Sequence, residues 1–286
     1  TWPELLEGPA WGCPGAATGF CNDSAIGVIG DNLSVHKNDA VLMNNGKVMT
    51  VATDAGQVIY IGIYDPTTGQ YESPPDALIA DLYFTGVDYD PINDVVYVFG
   101  SDVSLGPCYY KVTPDLIIDG PYLFAAIQQI DLGGGYILDA IISDDGVLAF
   151  NGTEVIPVYL AGLAAYDSQG DTLEKAIVLA TEDTSYVVVQ LTTDPNDYLY
   201  YGQVATDVYG NLVVVYERMT QADASVGWGW FDLCYTTSNI ANPSSWSTPV
   251  NITETDDVNE SLLHIPDHFY ALNDSTARVY FTYATS

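Results

Sequence analysis

The chain has 286 residues, 38 of them Asp or Glu and only 6 Lys or Arg, for a formal net charge of −32. A 48% hydrophobic content with 22 Tyr, 8 Phe and 5 Trp separates it from a disordered acidic tail, so the charge belongs to the surface of a folded body. Six scattered cations (Lys37, Lys47, Lys111, Lys175, Arg218 and Arg278) exclude phosphate-backbone recognition of nucleic acid and disfavour an anionic membrane surface.

Such a surface suits high salt, where carboxylates are screened, or acid, where they protonate; the composition leaves both habitats open. Cations and cationic partners are favoured. No apolar run reaches the roughly 18 residues of a membrane-spanning helix, so none is expected.

In chain order, Thr1–Gly30 comes first. It starts without Met or a basic, apolar leader, as expected of an exported product whose signal peptide has been removed. Rich in Gly, Pro and Ala and without strand alternation, it reads as an N-terminal arm in which Cys13 and Cys21 close a local disulfide loop. The other two cysteines, Cys108 and Cys234, then form a long-range bridge. Four cysteines permit three pairings, and four free thiols are the alternative; the spacing fits no zinc ligand set.

The remaining 256 residues, 31–286, read as β-structure. Lys47–Thr53, Gln57–Tyr64, Val95–Gly100, Tyr136–Ile142, Val147–Phe150, Tyr186–Leu191, Leu212–Glu217, Phe231–Thr236 and Ala277–Tyr283 are short β-branched or aromatic runs bounded by turn residues. Only Asp76–Tyr83 and Leu173–Leu179 carry weak helical spacing. A repeat emerges, with an apolar residue before Asp, a polar turn, then an alternating run ending in an aromatic. Its copies lie around Asp54, Asp88–Asp90, Asp144–Asp145, Asp207 and Asp274. Their spacing brackets one propeller blade, which predicts a single all-β propeller of about five to six blades; two packed β-sandwich domains are the alternative.

The repeat's turns supply the metal candidates. Asp88, Asp90, Asn93 and Asp94 crowd hard oxygen ligands into one turn, as calcium prefers, although an Asp/Asn-rich hairpin has the same composition. Asn-x-Ser/Thr occurs at Asn22, Asn32, Asn151, Asn251, Asn259 and Asn273, against roughly two triplets expected by chance. With paired cysteines, these sequons point to an extracellular glycoprotein.

Near the C-terminus, Tyr235-Thr236-Thr237-Ser238 is followed by Trp246-Ser247-Thr248-Pro249. The pattern resembles the blades of sialidase-type β-propellers and covers under a third of the chain. Here the segment is one residue longer than that family's Asp-box and lacks its Asp and Gly. The resemblance implies blade architecture. It does not extend to activity, because the family's substrate carboxylate meets three arginines and this chain has Arg218 and Arg278 alone.

Other glycoside hydrolysis needs only two carboxylates. Glu154, Glu182 and Glu217 stand beside strands, and Glu217 lies near Trp228 and Trp230, candidates for sugar stacking. His264 and His268 straddle Pro266 and read as turn histidines. No nucleophile elbow, P-loop or dinucleotide fingerprint is present. The expectation is therefore an extracellular glycoprotein with a non-enzymatic structural or adhesive role, packing with copies of itself or binding extracellular glycans or proteins. The alternative is a secreted propeller-fold glycoside hydrolase or lyase acting through Asp or Glu.

Overall fold

The computed structural model describes residues 37–285 apart from 54–56, 167–171, 195–196, 224–227, 254–259, 274–275 and 280–281. The arm expected at 1–30, with Cys13, Cys21 and Asn22, lies outside the described residues, as do Asn32 and Asn259. Twenty-two β-strands and no helix occur among the described residues. The chain divides into two compact units, Thr1–Ala80 and Asp81–Ser286.

The first unit carries one antiparallel meander of β1 (Lys37–Leu42), β2 (Val48–Thr53), β3 (Ile59–Asp65) and β4 (Gln70–Ile79). Alternation decides its burial, since Met49 and Val51 of β2 and Ile59, Ile61 and Ile63 of β3 turn inward. Pro74 and Pro75 sit in β4, an edge strand, where a missing N–H leaves no central ladder bond unmade.

The second unit repeats the meander. Its first is β5 (Leu82–Asp90), β6 (Val95–Asp102), β7 (Gly106–Val112) and β8 (Ile118–Leu123). A small hairpin, β9 (Ile130–Asp131) and β10 (Ile137–Leu138), leads to β11 (Ala140–Phe150), β12 (Val155–Tyr166), β13 (Thr172–Ala180) and β14 (Ser185–Gln190). Next come β15 (Leu199–Thr206), β16 (Asn211–Asp223), β17 (Trp228–Asn239) and β18 (Val250–Asn251). One cross-pair, Glu174 with Leu199, joins these last two meanders into an eight-stranded sheet. The chain closes with β19 (Glu260–His264), β20 (Tyr270–Asn273), β21 (Thr276–Arg278) and β22 (Thr282–Thr285).

The first strands of successive meanders stand side by side. Leu148 of β11 donates its N–H to Asp88 Oδ2 of β5 at 2.8 Å. Val204 of β15 donates to Asp145 Oδ2 of β11 at 3.0 Å. His268, just before β20, forms a parallel bridge to Thr206 at the end of β15. A carboxylate thus substitutes for ladder bonds between inner strands that are too splayed to pair. This is the propeller arrangement, with blades packed face to face and first strands converging.

Between the blades lie the cores. Val158, Leu160 and Leu179 of one blade meet Leu212, Val214 and Tyr216 of the next. Phe99 and Tyr109 pack on Tyr159 with Phe124 between them. Gly146 is needed at this interface, because a Cβ there would lie 2.4 Å from the Phe99 ring. The hairpin turns are set by their own aspartates. Asp207 Oδ1 accepts the N–H groups of Tyr209 and Asn211, both at 2.9 Å, and Asp90 Oδ1 accepts those of Ile92 and Asn93.

Two expectations change. Both weakly helical stretches are strand: Asp76–Tyr83 spans the end of β4 and the start of β5, and Leu173–Leu179 lies inside β13. In Leu173–Leu179 the apolar periodicity reflects burial on both faces, which erases the strand alternation. Cys108 and Cys234 are free buried thiols, so the long-range disulfide is not formed. Cys108 sits on β7 and Cys234 on β17, third strands of different blades, and the Cys234 side chain belongs to the core between β11–β14 and β15–β18.

Candidate functional site

In the expected calcium turn the side chains bond different partners. Asp90 and Asn93 are spent on their own hairpin, Asn93 Nδ2 donating to Asp90 Oδ2 at 2.6 Å. Asp94 accepts the Tyr89 hydroxyl. Asp88 turns instead towards the inner strands, where its Oδ1 lies 2.9 Å from His268 Nε2. Among the described residues, no three His, Cys, Asp or Glu side chains gather as a metal ion would require.

A second acidic group assembles where β13, β15 and β16 approach at the N-terminal end of the inner strands. Glu174 of β13 pairs across to Leu199, and Glu217 of β16 pairs with Tyr200. Both glutamates are buried, Glu174 at 6% exposure and Glu217 at 1%. Glu174 Oε2 finds no hydrogen-bond partner. Its carboxyl fits because β12 has no side chain beside it: a Cβ on Gly162 would lie 2.3 Å from that oxygen. Burial, reinforced by the charge of nearby Glu217, pushes the Glu174 carboxyl up to about 8. At neutral pH it is a proton donor, in a place where an ordinary glutamate would be a base.

The same end of the blade holds two of the chain's six cations. A bulge between β12 and β13 displaces Lys175 from the ladder, and its buried ammonium donates to the carbonyl oxygens of Asp194 and Asp197. Burial pulls this ammonium below its ordinary value, partly offset by Asp197 and Asp194. Arg218 forks onto the Asp197 carboxylate, Nε to Oδ1 at 3.0 Å and an Nη to Oδ2 at 3.1 Å. That hydrogen bond raises the guanidinium further. Beside it, Asp232 is buried with Oδ1 unpartnered, while Oδ2 accepts Asn251 Nδ2 at 2.5 Å.

Of the three glutamates singled out in the sequence, Glu217 alone belongs here. It lies within β16 instead of ending a strand. Glu154 is exposed in the β11–β12 turn and accepts from Asn151, and Glu182, exposed between β13 and β14, accepts the Tyr109 hydroxyl. Trp228 and Trp230 stand opposite Asp223 and Gln221, five and three positions beyond Leu233, the residue facing Glu217. Asn151 and Asn251 both use their side-chain amides internally, Asn251 on the buried Asp232. Asn273 lies on β20.

Glu174, Lys175 and Asp197 escaped the sequence reading. The signal was a charged dipeptide inside Leu173–Leu179, an otherwise apolar strand where each ionised side chain needs a specific partner.

No family model and no curated protein matches the sequence. Solved structures do match the fold. An α-L-arabinanase of Penicillium chrysogenum complexed with arabinobiose shares 12% identity over 86% of this chain and 74% of its own, with a TM-score of 0.54. The family-93 α-L-arabinofuranosidase of Fusarium graminearum, also with arabinobiose, shares 12% over 88% and 76%, at 0.53. A Dyadobacter fermentans protein of unknown function shares 11% over 89% and 76%, at 0.52. The fold is the all-β propeller that the repeat predicted, and the two enzymes named among these neighbours are not sialidases.

Proposed function

We propose that this chain is an exported, carbohydrate-active propeller protein of the glycoside hydrolase type, the reading that stood second in the sequence. The observation that carries it is the Glu174–Glu217 pair at the N-terminal end of the inner strands, one member held protonated at neutral pH. Glycosidic cleavage requires two carboxyl groups in different protonation states, one acid for the leaving oxygen and one carboxylate for the other face of the sugar. Glu174 is the acid in this scheme and Glu217 the carboxylate. The likeness of the fold to an α-L-arabinanase and an α-L-arabinofuranosidase supports the carbohydrate-active reading.

The test is hydrolysis of a panel of polysaccharides by the intact protein, read as released reducing ends. Glu174→Gln is expected to lower kcat by about 10²- to 10⁴-fold with substrate retention intact. Cleavage unchanged in both Glu174→Gln and Glu217→Gln overturns the assignment.

The burial of both glutamates favours one further reading, glycan binding without cleavage. Under it, polymers are retained, no ends are released, and both substitutions change only stability.

A further inference from the structure

We infer that the site around Glu174 and Glu217 takes glycans without carboxylate or sulfate groups, either neutral or amino-sugar polymers, and rejects anionic ones. The inference rests on the carbohydrate reading above and adds the class of substrate.

It follows from where the cations are. An anionic sugar bound in a site of low polarity needs a guanidinium or ammonium to replace its hydration, most effectively a bidentate arginine. Four of the six cationic side chains are described, and each is committed within the protein. Lys47 is 2.5 Å from Glu72. Lys111 lies over the faces of Tyr122, Tyr97 and Tyr109, at 4.7, 5.4 and 5.8 Å from their centroids. Lys175 and Arg218 are at the proposed site, yet both are turned onto the Asp194–Asp197 segment, Arg218 with both arms of its fork. The remaining two are Lys37 on β1 and Arg278 on β21.

Beside these engaged cations stand several carboxyl groups. Glu174 with its unpartnered oxygen, Glu217 and Asp232 are all buried at this end of the blades, and Asp197 is engaged by Arg218. A uronate or sulfate placed beside the Glu217 charge finds the nearby Lys175 and Arg218 already bonded to Asp194 and Asp197. A neutral sugar meets hydrogen-bonding groups and the exposed side chain of Tyr200, which pairs with Glu217 across β15 and β16. An ammonium-bearing sugar gains from the same carboxylates.

The experiment compares retention and cleavage of linear arabinan, partly deacetylated chitin and polygalacturonate by the full chain, at low salt and at about 1 M NaCl. At the higher salt the Debye length is about 3 Å, so repulsion from the rest of the acidic surface is removed and only contacts within the site discriminate. Arabinan or the chitin derivative is expected to bind at least about tenfold more tightly than polygalacturonate at both salt concentrations. Asp197→Asn, which frees the Arg218 fork, is expected to raise the affinity for polygalacturonate relative to that for arabinan. Equal or tighter binding of polygalacturonate at 1 M NaCl overturns the inference, and loss of that binding in Arg278→Gln would name the cation responsible. Retention of none of the three polymers overturns the carbohydrate reading itself.

Discussion

Glu174 is the residue at which sequence, packing and chemistry meet. Its neutral form is favoured because the folded chain buries the carboxyl against Gly162 and near Glu217. The sign of the stability effect follows. The carboxyl value rises from 4.5 to about 8 on folding, so this contribution is fully present below pH 4.5 and is lost as pH climbs to about 8. Thermal melts across this range should show a steeper fall for the native chain than for Glu174→Gln, which carries no proton to lose. Equal slopes would show that the carboxyl is not buried in its neutral form. Gly162→Ala attacks the same place from β12. Its Cβ would overlap Glu174 Oε2, and overpacking of this kind costs about 1–3 kcal/mol, measurable by denaturant midpoint.

At the scale of elements, the inner strands are held by side chains instead of a continuous ladder. Asp88 bonds Leu148 of the next blade and meets His268 from the last one, a contact spanning 180 residues of chain. Burial pulls the His268 imidazole down, but the Asp88 charge and hydrogen bond, with the Thr206 backbone, leave it above its ordinary 6.5. The contact therefore stabilises fully below pH 6.5 and fades as pH rises past the raised value. The stability difference between the native chain and His268→Gln should shrink on going from mildly acid to alkaline pH; a constant difference would assign His268 to packing alone. Asp207→Ala removes the acceptor of two turn N–H groups, and a loss of about 1–2 kcal/mol is expected.

These elements also show what the sequence could reveal. The Asp-turn-aromatic repeat was visible because hairpins such as those at Asp90 and Asp207 spend an aspartate on their own N–H groups, a local pattern. The roles of Asp88 and Asp145 were not, since the same residue type in the same repeat instead bonds a neighbouring blade through contacts 59 or 60 residues distant. Glu217 stood out by its place in a strong strand. Its partner Glu174 lay in a strand buried on both faces, whose periodicity imitates a helix. The Cys108–Cys234 bridge failed for the same reason of distance: composition counts thiols but does not place blades.

For the whole molecule, 38 acidic side chains against 6 cations make self-repulsion the dominant long-range term. The melting temperature should rise steeply with NaCl from low ionic strength and flatten towards about 1 M, where screening is complete within about 3 Å. A salt-independent melting temperature would show that the carboxylates are neutralised by other means. The two thiols in β7 and β17 supply a different instrument. Burial pushes both Cys108 and Cys234 up to about 11, so neither is nucleophilic while its blade is closed. Alkylation, read peptide by peptide over time, would thus clock the opening of each blade separately and reveal whether the ring unravels from one side or yields all at once.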